Sequence, residues 1–253
     1  MIKLFRNIRQ KLLKEDQTAN YLKYAIGEIV LVVIGILIAL QINNWNEHSK
    51  DRNYEHSALT ELYESLHYEY DTLIPMLLKR VEVTQHGINE FMELRERHET
   101  ISDSLFNKLW DEINVGAYFS YEAGPFEAIK NRGLNLITND TLRSILVKLY
   151  ESNFPRIQNH TDSYSNKYDF APQLASLEDF LLETKAIKAA DGNWHFQGFP
   201  KNPDMIYSKE LINYLKIKND VAEHFTYRMG QINGRIEKVL EALRLELKIT
   251  DHD

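Results

Sequence analysis

The sequence predicts an all-α protein, with an N-terminal transmembrane helix followed by an elongated antiparallel helical bundle. Two observations carry this prediction. First, residues 25–42 contain only two polar side chains, Glu28 and Gln41. Second, apolar residues recur at spacings of three and four in two long stretches, one near each end of the remaining chain. Long amphipathic helices bury such faces by packing against each other in a bundle.

The first element is an apolar helix long enough to cross a bilayer. At a rise of about 1.5 Å per residue, residues 24–45 span roughly 33 Å, against about 30 Å of hydrocarbon. Tyr24 and Trp45 stand where aromatic side chains meet the two membrane interfaces. The run leads into "IALQINNWNEH" without a small-x-small cleavage pattern, which predicts an uncleaved signal anchor at residues 21–45. The alternative is a buried core helix of a soluble protein.

The charges on either side of this run predict its orientation. Acidic residues predominate directly after it. The basic residues before it are Lys3, Arg6, Arg9, Lys11, Lys14 and Lys23. Because basic residues near a span stay on the cytoplasmic side, we expect residues 1–20 in the cytoplasm and residues 46–253 outside. The predicted location is the inner (cytoplasmic) membrane of a bacterium, with a helical domain in the periplasm.

The segment before the span has its own helical periodicity. Leu4, Phe5, Ile8 and Leu12 share one side, so a helix here can lie in the headgroup plane with its basic residues toward anionic lipid. The alternative is a basic tail that only sets the topology. The predicted membrane-interface residues are Lys3, Arg6, Arg9, Tyr24 and Trp45.

Composition restricts the function classes. The chain has a formal charge of −7, and residues 1–45 carry six basic and three acidic side chains, which leaves the remainder near −10. An acidic outer domain argues against nucleic acid as a partner, since binding it needs a basic surface. The chain has no cysteine, which excludes disulfides, thiolate metal ligands and a cysteine nucleophile. A secreted eukaryotic domain of this size usually carries disulfides, so a bacterial envelope is favoured.

The outer domain is predicted to be helical almost throughout. The apolar positions of its first long helix are Leu59, Leu62, Leu66, Tyr70, Leu73, Leu77, Val81, Thr84, Ile88 and Phe91. Those of the last helix are Leu211, Leu215, Ala222, Phe225, Met229, Ile232, Ile236, Val239, Leu243 and Leu247. Pro75 should kink or split the first helix, and Ser208 is placed to cap the last.

Shorter elements are predicted between the long helices. "SDSLFNKLWDEI", "GPFEAIKNRG" and "DTLRSILVKLYESNF" have the caps and periodicity of short helices. Residues 188–207 are the least helical part, and "WHF" within them fits either a small hairpin or a loop that caps the bundle. Trp194, His195 and Phe196 either line a pocket or pack inside the protein. Gly230 and Gly234, four residues apart, favour a close contact between helices, and the alternative is a tolerated loss of helix propensity.

Two stretches resemble a known family. "YLKYAIGEIVLVVIGILIALQINNWNE" resembles the N-terminal hallmark of an uncharacterised family of single-span bacterial envelope proteins. "FEAIKNRGLNLITNDTLRSIL" is similar to the second recognisable stretch of that family, although Asn131 and Arg132 replace the small residues expected before Gly133. The resemblance implies a location and a helical body, and it supplies no active-site residue.

The sequence contains no catalytic motif that we recognise. H-E-x-x-H, G-x-S-x-G and the phosphate-binding G-x-x-x-x-G-K-[ST] are all missing. Glu64 and His67 have the i, i+3 spacing of di-iron carboxylate bundles, but such a site needs a second copy of the pair. We therefore predict no catalytic residue, no metal ligand and no cofactor, and a solvated helix face at Glu64.

The predicted contact site lies inside the span. Glu28 stands about one turn from the cytoplasmic boundary, where an ionised carboxylate is costly unless it has a partner. Val32, Gly35 and Ala39 share its helix face, and the small pair Gly35 and Ala39 lets another helix approach closely. This face predicts self-association or docking to another membrane protein. The alternative is that Glu28 reaches the headgroups and pairs with Lys23.

Three function classes remain. We favour a membrane-anchored periplasmic helical scaffold or accessory subunit without catalytic activity, whose partners are the lipid bilayer and either itself or another membrane protein. The alternative is a sensor-like helical module that binds a small ligand and acts through a membrane partner. An enzyme is the third class, for which the sequence supplies no catalytic group.

Overall fold

The computed structural model describes residues 18–167, 177, 179 and 182–249. The predicted interface residues Lys3, Arg6 and Arg9 lie outside the described residues. Contacts divide the chain into two compact units, Met1–His56 and Ser57–Asp253. We refer to them as the N-terminal and the C-terminal unit.

The N-terminal unit consists, in its described part, of one long helix. This helix, α1, runs over Thr18–Tyr68 and therefore continues past the end of the unit. Between residues 22 and 45 its large apolar side chains are exposed, from 47% at Val33 to 75% at Trp45. The helix is long and apolar enough to cross a membrane. It passes beyond the apolar run without a break, as the absence of glycine and proline from residues 36–74 predicts.

In the described part of the chain, the C-terminal unit adds six α-helices, two 3₁₀ turns, two π turns and one hairpin to α1. The helices are α2 (Ile74–Glu96), α3 (Asp103–Asn114), α4 (Gly124–Arg132), α5 (Asp140–Lys148), α6 (Phe154–Lys167) and α7 (Lys209–Leu247), with 3₁₀ turns at Leu134–Leu136 and Pro203–Tyr207. The π-helical turns are π1 (Glu69–Leu73) and π2 (Leu149–Asn153). The strands are β1 (Leu182–Lys188) and β2 (Trp194–Pro200).

Local capping residues set the predicted helix boundaries. The Ser102 side chain accepts a hydrogen bond from the Leu105 N–H at the start of α3, and Ser208 accepts one from Leu211 at the start of α7. At the end of α4, Gly133 has a φ of +122°, which only glycine adopts without strain. The helix therefore ends where the sequence predicts, with Asn131 and Arg132 in its last turn.

The two long apolar faces pack against each other. Ile88 and Phe91, near the end of α2, share one buried cluster with Leu211 and Leu215 at the start of α7. The two helices therefore run in opposite directions, and α3 also packs on α2 in this cluster. By contrast, a Cβ added at Gly230 or Gly234 would meet nothing within 4 Å in the described part of the chain, so the expected close helix contact is not observed there.

The all-α prediction is only approximate, because a two-stranded antiparallel sheet interrupts the helices. Strands β1 and β2 pair from Leu182 opposite Pro200 to Lys188 opposite Trp194. The "DGN" turn closes the hairpin, with Gly192 at a φ of +86°. Of the two forms that "WHF" allows, the hairpin is the one observed. Trp194 and Phe196 are 62% and 77% exposed, so they neither pack inside the protein nor line a closed pocket.

Each π turn is followed by a proline two residues later. The Ile74 N–H bonds to the carbonyl of Glu69, and the Phe154 N–H bonds to that of Leu149, in each case five residues back. The prolines that follow have no N–H, and their rings crowd the carbonyl four residues earlier, so the normal α-helical turn cannot form there. The interruption predicted at Pro75 thus takes the form of a π turn within a continuous helix.

Candidate functional site

The predicted contact residues of the span form one surface of α1. Steps of four, three and four residues place Glu28, Val32, Gly35 and Ala39 along a single helix face. All four are exposed, and a Cβ built at Gly35 would meet nothing within 4 Å. In the described structure this face is therefore open, with a notch at Gly35.

A second candidate site is buried in the C-terminal unit, where π1 places Glu69 inside the protein. Glu69 is 3% exposed, the lowest value among the buried polar side chains of the described residues. Its Oε1 accepts a hydrogen bond of 2.8 Å from the Glu122 N–H. Its Oε2 is buried and has no hydrogen-bond partner within the described part of the chain. A buried carboxylate oxygen without a partner is costly, so this group calls for a functional or structural reason.

The other π turn contributes a second buried polar atom. Tyr150 is 4% exposed, and its hydroxyl likewise has no hydrogen-bond partner among the described residues. Its ring stacks on Phe126 with the centroids 4.6 Å apart, and Phe154 lies edge-on at 5.2 Å. Tyr121 stacks on Phe154 at 4.4 Å and meets the Tyr150 ring edge-on at 6.4 Å. Tyr150 is therefore buried within a cluster of aromatic rings.

The electrostatics of this site favour its protonated forms. Burial raises the pKa of Glu69; the hydrogen bond from the Glu122 N–H lowers it, and the negative charge of the Glu122 side chain raises it further. Burial also raises the pKa of Tyr150, and the charges of Glu69 and Glu122 act in the same direction. The site can therefore hold a proton on Glu69 at a pH where an exposed glutamate is ionised.

The buried glutamate also fixes an irregular stretch of chain. Residues 115–123, which we call the connecting segment, join α3 to α4. At one end, the Arg80 side chain donates hydrogen bonds of 2.9 Å to the carbonyls of Val115 and Gly116. At the other end, the Glu122 N–H donates to Glu69. The segment is thus attached to α2 through the guanidinium group of Arg80 at one end and to π1 through the carboxyl group of Glu69 at the other.

A column of stacked aromatic rings near the start of α7 lies beside another group with a shifted pKa, Lys218. Trp110 stacks on Phe106 and on Tyr214, with centroid separations of 5.7 Å in both pairs. The Lys218 Nζ lies 5.3 Å from the centroid of the Tyr214 ring. Burial lowers the pKa of Lys218 to about 8. By contrast His67, which the sequence pairs with Glu64, lies 2.6 Å from Asp71 on an exposed helix face.

Comparison with known proteins places these features in one family. A model described as "Family of unknown function (DUF6090)" matches residues 28–190, more than half of the chain. The chain belongs to DUF6090. No curated protein and no solved structure matches it. The part of this DUF6090 protein that matches begins at Glu28 and includes the span face, Glu69, the connecting segment and Tyr150.

Sequence reasoning missed Glu69 because it assigned the wrong residues of this turn to the buried face. The apolar spacing selects Tyr70 and Leu73, whereas the structure buries Glu69 and Ile74 and leaves Tyr70 and Leu73 half-buried. The π turn adds a residue to the helical repeat and changes which side chains point inward. The signal that could have revealed it is Pro75, since a proline inside a periodic helix often accompanies such a turn.

Proposed function

We propose that this DUF6090 protein is a single-pass protein of the bacterial inner membrane, with residues 21–45 as its span and residues 46–253 as a periplasmic scaffold or accessory subunit. The observation that carries the proposal is the contrast between the two units. The described apolar side chains of residues 22–45 are exposed on α1, whereas the C-terminal unit buries a large core of its own. A helix with that surface is stable in hydrocarbon and not in water.

The charge distribution supports the proposed orientation. Six basic residues precede the span, and the chain after residue 45 carries a formal charge near −10. This asymmetry is the one that retains an N-terminus in the cytoplasm. Tyr24 and Trp45 are exposed at opposite ends of the apolar run, as anchors at the two interfaces would be.

The open face of the span is the proposed contact site for a membrane partner. Gly35 and Ala39 allow backbones to approach closely, and Glu28 on the same face provides a polar group that another helix can satisfy. Self-association and docking to another membrane protein both fit this face. The scaffold role rests on this contact together with a C-terminal unit built on two long helices, α2 and α7.

Copurification of the full chain from native membrane tests this proposal. A tagged protein should retain a partner in fixed stoichiometry, either a second copy or another membrane protein, and Gly35→Leu should release it. The matched control is Ile34→Leu, which changes a neighbouring lipid-facing side chain without adding bulk at the notch. A parent chain that is recovered alone from mild detergent would contradict the scaffold role. A small molecule retained in its place would favour the sensor-like alternative.

A further inference from the structure

The connecting segment forms part of the enclosure around Glu69. The Glu122 N–H of the segment donates a hydrogen bond to Glu69 Oε1, and the Tyr121 ring stacks on Phe154 beside Tyr150. Phe119, also in the segment, is fully buried. A movement of this segment away from π1 would remove the N–H from Glu69 and admit water to the carboxyl group.

We propose that the connecting segment and Glu69 form a proton-controlled latch, in which binding of a proton by Glu69 closes the segment and loss of the proton opens it. The closed form buries the carboxyl group and leaves Oε2 without a partner in the described structure. A neutral carboxyl group tolerates this burial much better than a charged one. In the open form water can solvate the charge, so the ionised state favours opening.

Thermodynamic linkage sets the direction of the latch. Burial raises the pKa of Glu69 in the closed form above its ordinary value of 4.5. Because the closed form binds the proton more tightly than a solvated glutamate does, closing takes up a proton. The segment is therefore held most firmly at acidic pH, and it loosens as the pH rises from 4.5 through the pKa of the closed form.

Among the charged groups around the site, Glu122 raises the pKa of Glu69 itself, whereas the others act on nearby tyrosines. Glu122 contributes a negative charge from the segment, and Glu237 of α7 acts on Tyr70, the residue next to Glu69. Glu127 of α4 and Glu151 of π2 act on Tyr121, and both lie near the Lys130 ammonium group, at 3.1 and 2.6 Å. The titratable groups to consider are Tyr70, Asp71, Tyr121, Glu122, Glu127, Lys130, Tyr150, Glu151, Glu237 and Glu241.

His86 and Glu112 form a polar contact near the other end of the segment. The His86 Nδ1 lies 2.8 Å from Glu112 Oε2, close to the end of α3, where the segment begins. Because Glu112 belongs to α3, this contact is a second attachment near the segment that does not involve Glu69, and a His86 variant serves as its control. The Arg80 side chain, in contrast, bonds directly to the segment carbonyls of Val115 and Gly116.

Hydrogen exchange on the full chain in lipid nanodiscs tests the latch. Protection factors for the amides of residues 115–123 are measured from pH 5 to pH 8, with the amides of α7 as an internal reference. In the parent chain, protection of the segment should fall as the pH rises. Each unit by which closing raises the pKa of Glu69 contributes at most about a tenfold change.

Four variants separate the causes. Glu69→Gln keeps an acceptor for the Glu122 N–H without a charge, so protection should stay high and independent of pH. Glu122→Gln keeps the backbone N–H and removes a negative charge, so the fall should move to lower pH. Arg80→Gln should lower the protection of the segment at every pH but preserve its dependence on pH. His86→Asn should leave the dependence of protection on pH unchanged.

An identical pH dependence of protection in Glu69→Gln and the parent, or a parent profile that does not change with pH, would overturn the proposal. If the α7 amides of Glu69→Gln lose protection as well, this variant no longer isolates the segment. The proposal is then tested by whether Glu122→Gln moves the fall in protection to lower pH.

Discussion

Pro75 and Pro155 occupy equivalent positions, because each stands two residues after the end of a π-helical turn. The first of these turns buries Glu69 and the second buries Tyr150. At both sites a proline therefore follows a π turn that contains a buried side chain with a polar group. Both buried polar atoms lack a hydrogen-bond partner in the described structure, which links an irregularity of the backbone to an unusual electrostatic site.

The first prediction concerns the hydroxyl group of Tyr150. Because this hydroxyl is buried without a partner among the described residues, Tyr150→Phe should leave the free energy of unfolding unchanged or raise it slightly. The measurement is denaturant unfolding of the full chain in detergent, followed by circular dichroism. The substitution keeps the ring that stacks on Phe126, so the packing should be preserved.

Tyr214→Phe is the matched control for this prediction. The Tyr214 hydroxyl donates a hydrogen bond to Asn114 Oδ1, so its removal should cost about 1 kcal/mol. If Tyr150→Phe costs as much as Tyr214→Phe, the Tyr150 hydroxyl is satisfied, for example by a bound water molecule, and the prediction is wrong.

Local signals allowed much of the helical structure to be predicted, whereas the buried site depends on tertiary context. Ser208 and Gly133 act within their own turn, so the sequence alone identifies them as helix ends, and for the start of α3 it offers either a serine or an aspartate, of which the structure uses Ser102. The burial of Glu69 depends on a π turn and on rings contributed by distant segments, which apolar spacing does not encode. The exposure of Trp194 and Phe196 was equally hidden, since an aromatic cluster is more often buried than exposed.

The second prediction is a dependence of stability on alkaline pH. Burial lowers the pKa of Lys218 to about 8 in the folded chain, against an ordinary value of 10.5. Between these two values the unfolded chain binds more protons than the folded chain, so the free energy of unfolding should rise as the pH rises from 8 to 10.5. Thermal unfolding at several pH values measures this rise.

Lys218→Met identifies the group responsible. Methionine keeps the length of the apolar stem and removes the buried charge, so the variant should be more stable than the parent at pH 7, by roughly 1 kcal/mol. The part of the rise in the free energy of unfolding at alkaline pH that Lys218 contributes should also disappear. An equal rise in the variant and in the parent would assign the effect to other groups.

The third prediction is the proposed topology. Protease added to spheroplasts should digest the domain after residue 45 and leave a small protected N-terminal fragment, because the lipid bilayer shields the span and the cytoplasmic segment. Immunoblotting with tags at both ends measures the outcome. Protection of the full-length chain until the membrane is permeabilised would reverse the orientation and remove the domain from the periplasm.

The last prediction tests the open face of α1. Gly35→Leu fills the notch between Glu28 and Ala39 while keeping the apolar length, so insertion should survive and association should be lost. Glu28→Gln retains hydrogen bonding without charge, so it should weaken association less than Glu28→Leu if the glutamate bonds to a neighbouring helix. Cross-linking in native membrane compares the three variants with the parent. If all of them assemble like the parent, this face contacts lipid, and Glu28 has its role at the headgroups.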